Sequence, residues 1–250
     1  MKAGYFVAAA CSLLMAQPVK AAEVRMLAAG AVKEIFLELL PQFESTSGHK
    51  VTPTWTGSAD IRKRIEAGEV FDLVVVGVRD IDGFVKGGKV APGSRVDIAA
   101  TGVGAAVKAG APKPDISSSE AVTKALLSAR MVAYSTGASG VYMQRLFERL
   151  NIADQMKARS KQPAPGTRVA QLIASGEADL GFQQVSELIH EPGIDFLGPL
   201  PADIQNVTVY SSGVHADSKL ADTARALQAF LSAPAAAPVI RKYGMEPGRP

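Results

Sequence analysis

The chain has 250 residues, of which 47% are hydrophobic and 20% are charged, and its formal net charge at pH 7 is +3. This composition is typical of a globular protein and excludes an intrinsically disordered chain. The near balance of acidic and basic residues argues against a nucleic-acid-binding protein, which would carry a strongly basic face.

The first residues have the pattern of a secretory signal peptide. Lys2 supplies a positive charge, an apolar stretch too short to cross a bilayer follows, and the small residues Ala21 and Ala22 provide a cleavage site. Removal of residues 1–22 would also remove Cys11, the only cysteine. We therefore expect a periplasmic protein without disulfides, thiol nucleophiles or thiolate metal sites. Two alternatives are a buried N-terminal helix and a lipid attached at Cys11.

The mature sequence opens with an alternation of strands and helices. Apolar residues at helical spacing predict a helix over 32–43, which Pro41 would kink or end and which Gly48 limits. A helix containing the basic run Arg62-Lys63-Arg64, read as a solvated face, lies between the next two strands. We predict the strands at 24–28, 51–55 and 71–76.

A short phrase occurs twice in the chain. Residues 65–73 read IEAGEVFDL and residues 173–180 read IASGEADL. Each copy ends an amphipathic helix at a glycine and leads through an acidic pair into a buried strand. The repeat predicts two similar α/β lobes with a cleft between them.

The remaining elements complete this scheme. The extended apolar run 98–107 predicts a strand that crosses to the second lobe, and segments 195–200 and 207–210 predict the return. The predicted fold class is therefore α/β: two doubly wound lobes joined by two crossing strands, residues 23–100 plus 206–250 in the first and 101–205 in the second. The other predicted elements are strands 131–134 and 179–183 and helices 119–127, 140–150, 167–174, 220–231 and 235–242.

Three strand-to-helix junctions consist of very small and hydroxyl-bearing residues. They lie at 29–31, 56–59 and 135–140. Ligands of parallel α/β sheets bind beyond the carboxyl ends of the strands, where helix N-termini present free N–H groups. The junctions therefore predict a site for a small anion. Its candidate residues are Gly30, Thr56, Ser58, Ser135 and Ser139.

Three further residues are candidates for the same site. Tyr142 would donate a phenolic hydroxyl into the cleft, although it can equally cover the core. Arg168 lies at a helix start, where a cation is unfavourable unless an anion compensates. Either Gln183 or Gln184 should face the cleft, and Gln184 is taken as the candidate. The three histidines lack ligand-like spacing, so we predict no metal and no cofactor.

At these residues the chain resembles the periplasmic molybdate-binding protein family of ABC importers, which has the type II solute-binding fold. The resemblance spans nearly the whole mature chain and rests on Ala28-Ala29, Ser58, the motif Phe71-Asp72-Leu73, the motif 176–179 and Lys242-Tyr243-Gly244. The family usually has a serine where this chain has Gly30 and a tyrosine where it has Gln184. Losing two hydroxyl donors should weaken the binding of a tetrahedral oxyanion.

The resemblance leaves three functions open. The favoured one is a monomeric periplasmic solute-binding protein that delivers a small anion, by preference a di- or tricarboxylate, to an ABC permease. Some relatives of this family are periplasmic aconitate isomerases, which need a general base, and Glu187, Tyr142 or a cleft histidine are candidates. The third function is molybdate or tungstate binding.

Overall fold

The computed structural model describes residues 21–164 and 167–248. Two mixed β-sheets, each flanked by helices, form two lobes, which confirms the predicted α/β class. We call the lobe that contains the N-terminal strand the first lobe and the other the second lobe. The predicted signal peptide, apart from its last two residues, and Cys11 lie outside the described residues.

The first lobe contains a six-stranded sheet with the order β11-β4-β10-β3-β1-β2. Strands β2, β1 and β3 are parallel and connected by helices, whereas β10 returns antiparallel between β3 and β4. The strands are β1 Glu23–Ala29, β2 Lys50–Thr56, β3 Leu73–Gly77, β4 Val96–Thr101, β10 Thr208–Val214 and β11 Glu246–Pro247.

The second lobe repeats this plan with a five-stranded sheet in the order β7-β6-β8-β5-β9. Strands β7, β6 and β8 are parallel, and β5 lies antiparallel to β8. The parallel strands of both sheets direct their carboxyl ends toward helix N-termini, where a ligand crevice is expected. The strands are β5 Val103–Lys108, β6 Val132–Tyr134, β7 Ser160–Lys161, β8 Leu180–Gln184 and β9 Ile194–Pro199.

The helices cover the faces of the two sheets and bury their apolar sides. The C-terminal helices pack on the first lobe through Leu227, Leu231 and Ile240, as predicted. No helix among residues 21–164 and 167–248 is long and apolar enough to cross a membrane. The helices are α1 Lys33–Ser47, α2 Ser58–Glu66, α3 Val78–Lys86, α4 Ser119–Ser128, α5 Ala138–Arg149, α6 Ala153–Arg159, α7 Val169–Ala174, α8 Ala221–Ser232 and α9 Ala237–Lys242.

Several sequence predictions need correction. Helix α1 continues through Pro41 for more than a turn and ends at Gly48, whose φ of +72° provides the left-handed cap. The burial of Phe43, beyond the proline, keeps this turn on the core. Helices α3 and α6 were not predicted because they are short and follow their preceding elements without a capping signal.

The predicted crossing run is two strands rather than one. Gly102 separates β4 from β5, and the two strands belong to different sheets. The side chain of Gln205, on the returning segment, accepts from Val103 N at 2.7 Å and donates to Val103 O at 3.0 Å and Leu200 O at 3.1 Å. A Cβ on Gly102 would lie 2.8 Å from Gln205 Cδ, so the glycine allows this contact. The hydrogen bonds of Gln205 thereby join the segment that crosses to the second lobe and the segment that returns from it.

Candidate functional site

A cleft of about 520 Å³ lies between the lobes, within the size range of small-molecule sites. The first lobe contributes the carboxyl ends of β1 and β2, and the second lobe contributes the segments after β6 and β8. Tyr210 of β10 also lines the cleft. The cleft thus occupies the position that the strand-to-helix junctions predicted.

Two helix N-termini from opposite lobes open onto this cleft. Helix α2 begins at Ser58, and the cavity is lined by residues 58–60 of its first turn and by Ala138, the first residue of α5. The first N–H groups of a helix have no intrahelical acceptor, and the helix dipole is positive at this end. The converging N-termini favour a ligand with separated negative groups.

The hydroxyl candidates divide into two groups. Thr56, Ser58 and Ser135 line the cleft. Ser139 is fully buried outside the lining, and its Oγ lies 2.7 Å from Ser135 Oγ. Because Ser135 Oγ also accepts from Gly140 N at 3.1 Å, the serine pair organises the start of α5. The structure therefore places Ser139 behind the site and not in it.

Tyr142 and Gln184 are also not at the cleft surface. The hydroxyl of Tyr142 donates to Ile204 O at 2.5 Å, and its ring packs on the core of the second lobe. Gln184 is 1% exposed, and its amide lies within hydrogen-bonding distance of Thr208 Oγ1, at 3.1 Å, and Gly102 O, at 2.9 Å. Gln184 therefore belongs to the lobe junction, and its neighbour Gln183 lines the cleft.

Glu187 is the carboxylate that reaches the cleft from the second lobe. It ends the single 3₁₀ turn Val185–Glu187, which faces the 3₁₀ turn Gly30–Val32 of the first lobe. A Cβ on Gly30 would lie 3.1 Å from Glu187 Oε1. The glycine therefore gives this carboxylate room.

The surroundings of Glu187 favour its protonated form. Burial raises the pKa of this carboxyl to about 7, against the lowering effects of the Arg168 charge and of a hydrogen bond from Gln183. Gln183 Nε2 donates to Glu187 Oε1 at 2.8 Å. Glu187 Oε2 has no hydrogen bond to any residue that the structure describes. At neutral pH this carboxyl is therefore poised to accept and return a proton.

Arg168 lines the cleft but already has two carboxylate partners. Its guanidinium donates to Glu191 in its own lobe and to Glu34 Oε1 of helix α1, in the first lobe, at 3.0 Å. Ser186 Oγ donates to Ala31 O at 2.9 Å in a second contact between the lobes. Arg168 thus bridges the two lobes. Its position at a helix start predicted that an anion compensates its charge, and the carboxylates of Glu34 and Glu191 are that anion.

Sequence reasoning missed several residues that line the cleft, among them Lys33, Trp55, Asp60 and Tyr210. Lys33 forms no salt bridge with any described residue and lies in the first turn of α1. The argument applied to Arg168, a cation at a helix start, would have identified it. Burial and the Glu187 charge raise the pKa of Tyr210, so its phenol stays neutral and can donate a hydrogen bond.

The histidines do not take part in this site. His49 and His190 lie away from the cleft, and His190 contacts Lys242 O at 2.9 Å. His215 is buried in the first lobe, and burial lowers its pKa. Across residues 21–164 and 167–248 no cluster of potential metal ligands is present.

Residues 24–246 match the family model described as bacterial extracellular solute-binding protein. The chain belongs to this family. As a bacterial extracellular solute-binding protein, it is 37% identical to an aconitate isomerase from a Pseudomonas species, over 98% of this chain and 94% of that protein. It is 25% identical to the molybdate-binding protein ModA of Azotobacter vinelandii, over 92% of each.

Solved structures agree with the family on the fold. The periplasmic molybdate-binding protein of Azotobacter vinelandii superposes with a TM-score of 0.75 at 20% identity, over 89% of this chain and 98% of that one. This solute-binding protein therefore has the type II periplasmic-binding fold that the sequence resemblance implied.

Proposed function

We propose that this protein is a periplasmic isomerase of an unsaturated tricarboxylate and interconverts cis- and trans-aconitate. The observation that carries the proposal is Glu187, a carboxyl that lies in the cleft with a pKa raised to about 7. A pKa near the working pH is what a residue needs in order both to remove and to return a proton. The 37% identity to an aconitate isomerase supports the same reaction.

The reaction needs one proton to move between two carbons. Glu187 Oε2 removes a proton from the methylene group of cis-aconitate, and the C–H electron pair enters the conjugated double bond and its carboxylate. The same carboxyl returns the proton to the former vinylic carbon, and a new double bond forms at the former methylene carbon. Protons and electrons balance, and no other reactant is required.

The cleft supplies groups that stabilise the charge formed in this step. The intermediate gains negative charge on a carboxylate, which the N-termini of α2 and α5 and the ammonium of Lys33 attract. Ser58 adds a hydroxyl donor at the N-terminus of α2. A preorganised set of donors stabilises the transition state more than the substrate, because the charge develops only during the reaction.

The size of the cleft favours a tricarboxylate over a tetrahedral oxyanion. A dianion such as molybdate would fill little of the 520 Å³ cleft. Capture of a carboxylate for an ABC permease is the second candidate. It is supported by the family match and by the two lobes with a cleft between them, which are the architecture of solute capture.

The test is to incubate the purified protein with cis-aconitate in deuterated water and follow both isomers by proton NMR. We expect trans-aconitate to appear with turnover, and Glu187→Gln to lower the rate by at least 1,000-fold, on the order expected for a lost general base. Glu177→Gln, at an exposed glutamate of the second lobe, is the matched control and should keep full activity. Tight binding of cis-aconitate without turnover would instead support the transport function.

A further inference from the structure

We infer that Gly57 and Thr136 determine which length of carboxylate ligand the cleft prefers, because the two lobes touch each other at this pair. The inference deepens the proposed function, since it concerns the size of the ligand bound in the same cleft. Gly57 precedes helix α2 in the first lobe, and Thr136 lies before α5 in the second lobe. Both residues line the cleft, so a ligand in the cleft lies beside them.

Gly57 and Thr136 are in close contact between the lobes. A Cβ on Gly57 would lie 3.1 Å from Thr136 Oγ1 and 3.7 Å from the carbonyl oxygen of Thr136. The first distance is shorter than an ordinary van der Waals contact, so a side chain at position 57 must displace Thr136. Either the threonine side chain turns or the two lobes move apart. Glycine is therefore the residue that allows this approach.

The local structure at Gly57 does not itself require glycine. Its φ of −78° and ψ of 155° lie in the extended region, which other residues adopt readily. Gly57 is also the N-cap of α2, where a serine, asparagine or aspartate would stabilise the helix by a side-chain hydrogen bond. Helix α2 has no such bond at its N-cap. The contact with Thr136 is thus the feature of this position that favours glycine.

The order of the strands places this contact away from the segments that cross between the lobes. In the first sheet, β3 and β1 separate the crossing strand β10 from β2, which leads to Gly57. In the second sheet, β8 separates the crossing strand β5 from β6, which leads to Thr136. The close approach of Gly30 to Glu187 follows β1 and β8, one strand nearer to the crossing segments in each sheet. A larger residue at position 57 would therefore open the cleft as a wedge.

The contact also sets the distance between two helix N-termini. Helix α2 begins one residue after Gly57, and α5 begins two residues after Thr136. The positive ends of the two helices attract carboxylates from opposite lobes. A short tricarboxylate reaches both ends while the lobes touch at this pair, whereas a longer one also spans a wider gap. Gly57 and Thr136 are thus specificity-determining residues, and they favour compact tricarboxylates.

The experiment compares two saturated tricarboxylates, which have no double bond to isomerise. Calorimetry measures the dissociation constants of propane-1,2,3-tricarboxylate and of the longer pentane-1,3,5-tricarboxylate for the unaltered protein, Gly57→Ala and Gly57→Val. We expect the short ligand to bind about tenfold more weakly to Gly57→Ala, and more weakly still to Gly57→Val. The long ligand should lose less affinity than the short one in both variants. The preference for the short ligand should therefore decrease as residue 57 becomes larger.

Thr136→Ala provides a matched test of the contact. In the double variant Gly57→Ala and Thr136→Ala, the added methyl group no longer meets Thr136 Oγ1. The short ligand should then bind as tightly as to Thr136→Ala alone. A methyl group that blocked the ligand directly would not be relieved in this way. Gly83→Ala in α3, where an added Cβ meets nothing within 4 Å, is the control and should leave both constants unchanged.

The outcomes separate this inference from the proposed reaction. An equal loss of affinity with and without the Thr136 side chain, or an unchanged preference in both Gly57 variants, would overturn the inference even if aconitate turns over. A reduced preference that Thr136→Ala restores, in a protein without aconitate turnover, would support the inference and reject the isomerase. Failure of both tricarboxylates to bind would reject both. Thermal melting verifies that each variant is folded, and Gly57→Ser replaces a Gly57→Ala variant that is not.

Discussion

Gly30 and Glu187 lie on opposite lobes, so close that a single added methyl group on the glycine would lie 3.1 Å from the Glu187 carboxylate oxygen Oε1. This contact is tighter than ordinary van der Waals distance, and the carboxylate must move by a few tenths of an ångström to accept it. The contact joins the 3₁₀ turn before α1 to the 3₁₀ turn after β8. The Cβ of a serine at position 30 would meet the same oxygen.

The first prediction tests this contact. Gly30→Ala should displace the Glu187 carboxyl and lower the aconitate isomerisation rate by about tenfold to 100-fold, because small shifts of a catalytic group are costly. It should also cost about 1 kcal/mol of unfolding free energy in urea. The matched control is Gly83→Ala in α3, where an added Cβ meets nothing within 4 Å. In the Glu187→Ala background, Gly30→Ala should lower the unfolding free energy by less. An equal loss of unfolding free energy in both backgrounds would contradict the contact.

The second prediction concerns stability and pH. The pKa of Glu187 is about 7 in the folded protein and near 4.5 in the unfolded chain. Because the folded protein binds this proton more tightly, the protonated carboxyl contributes its full stabilisation below pH 4.5. This contribution is lost as the pH rises through 7. Glu187→Gln should therefore match the original protein at pH 4 and exceed its unfolding free energy by up to about 3 kcal/mol at pH 8. Urea unfolding of both proteins between pH 4 and pH 8 measures this difference in unfolding free energy. A difference that does not change with pH would contradict the raised pKa of Glu187.

The third prediction separates ligand affinity from stability at Lys33. Lys33→Met removes a cation from the cleft and should weaken tricarboxylate binding by about tenfold in calorimetry. The same change removes an unfavourable charge from the first turn of α1, so the unfolding free energy should rise by about 0.3–1 kcal/mol. Lys63→Met, on the exposed face of α2, is the control and should leave affinity unchanged. A loss of stability together with affinity would point to a structural role instead.

The fourth prediction concerns lobe closure without ligand. Glu34→Gln removes the charged contact from Arg168 to the first lobe and leaves its partner Glu191 in place. Since the Arg168 and Glu34 side chains are about one-third exposed, the effect should be under about 1 kcal/mol, enough to increase the open population several-fold at low salt. Small-angle scattering should show a larger radius of gyration, and the effect should fade at high salt. Glu66→Gln, an exposed residue of α2, is the control.

The sequence predicted the order of strands well because hydrophobic periodicity and glycine stops are local signals. The doubled phrase at residues 65–73 and 173–180 does lead into one buried strand in each lobe, β3 and β8. Most boundaries shifted by one or two residues, since strand ends depend on their hydrogen-bond partners, but α1 and β10 each extend four residues beyond their predicted ends. The continuation of α1 past Pro41 to Ser47 could not be read from Pro41 alone, because packing of Phe43 against the core overrides the local signal.

The site was predicted in its position but only in part in its members. Junction residues such as Ser58 and Ser135 reach the cleft because their place at a strand end determines it. Tyr142 and Gln184 do not, because the direction of a side chain depends on helix phase and on neighbours distant in sequence. The environment of Glu187 forms where the two lobes pack together, and no local sequence pattern predicts this packing.

The burial that sets the pKa of Glu187 exists only while Gly30 and the rest of the first lobe cover it. Under the proposed function, separation of the lobes for product release would let water reach the carboxyl, and its affinity for the proton would fall toward that of an ordinary glutamate. A proton left on Glu187 by an incomplete reaction would then be lost to solvent at neutral pH. Each opening of the cleft would therefore restore the base, whichever isomer had last been released.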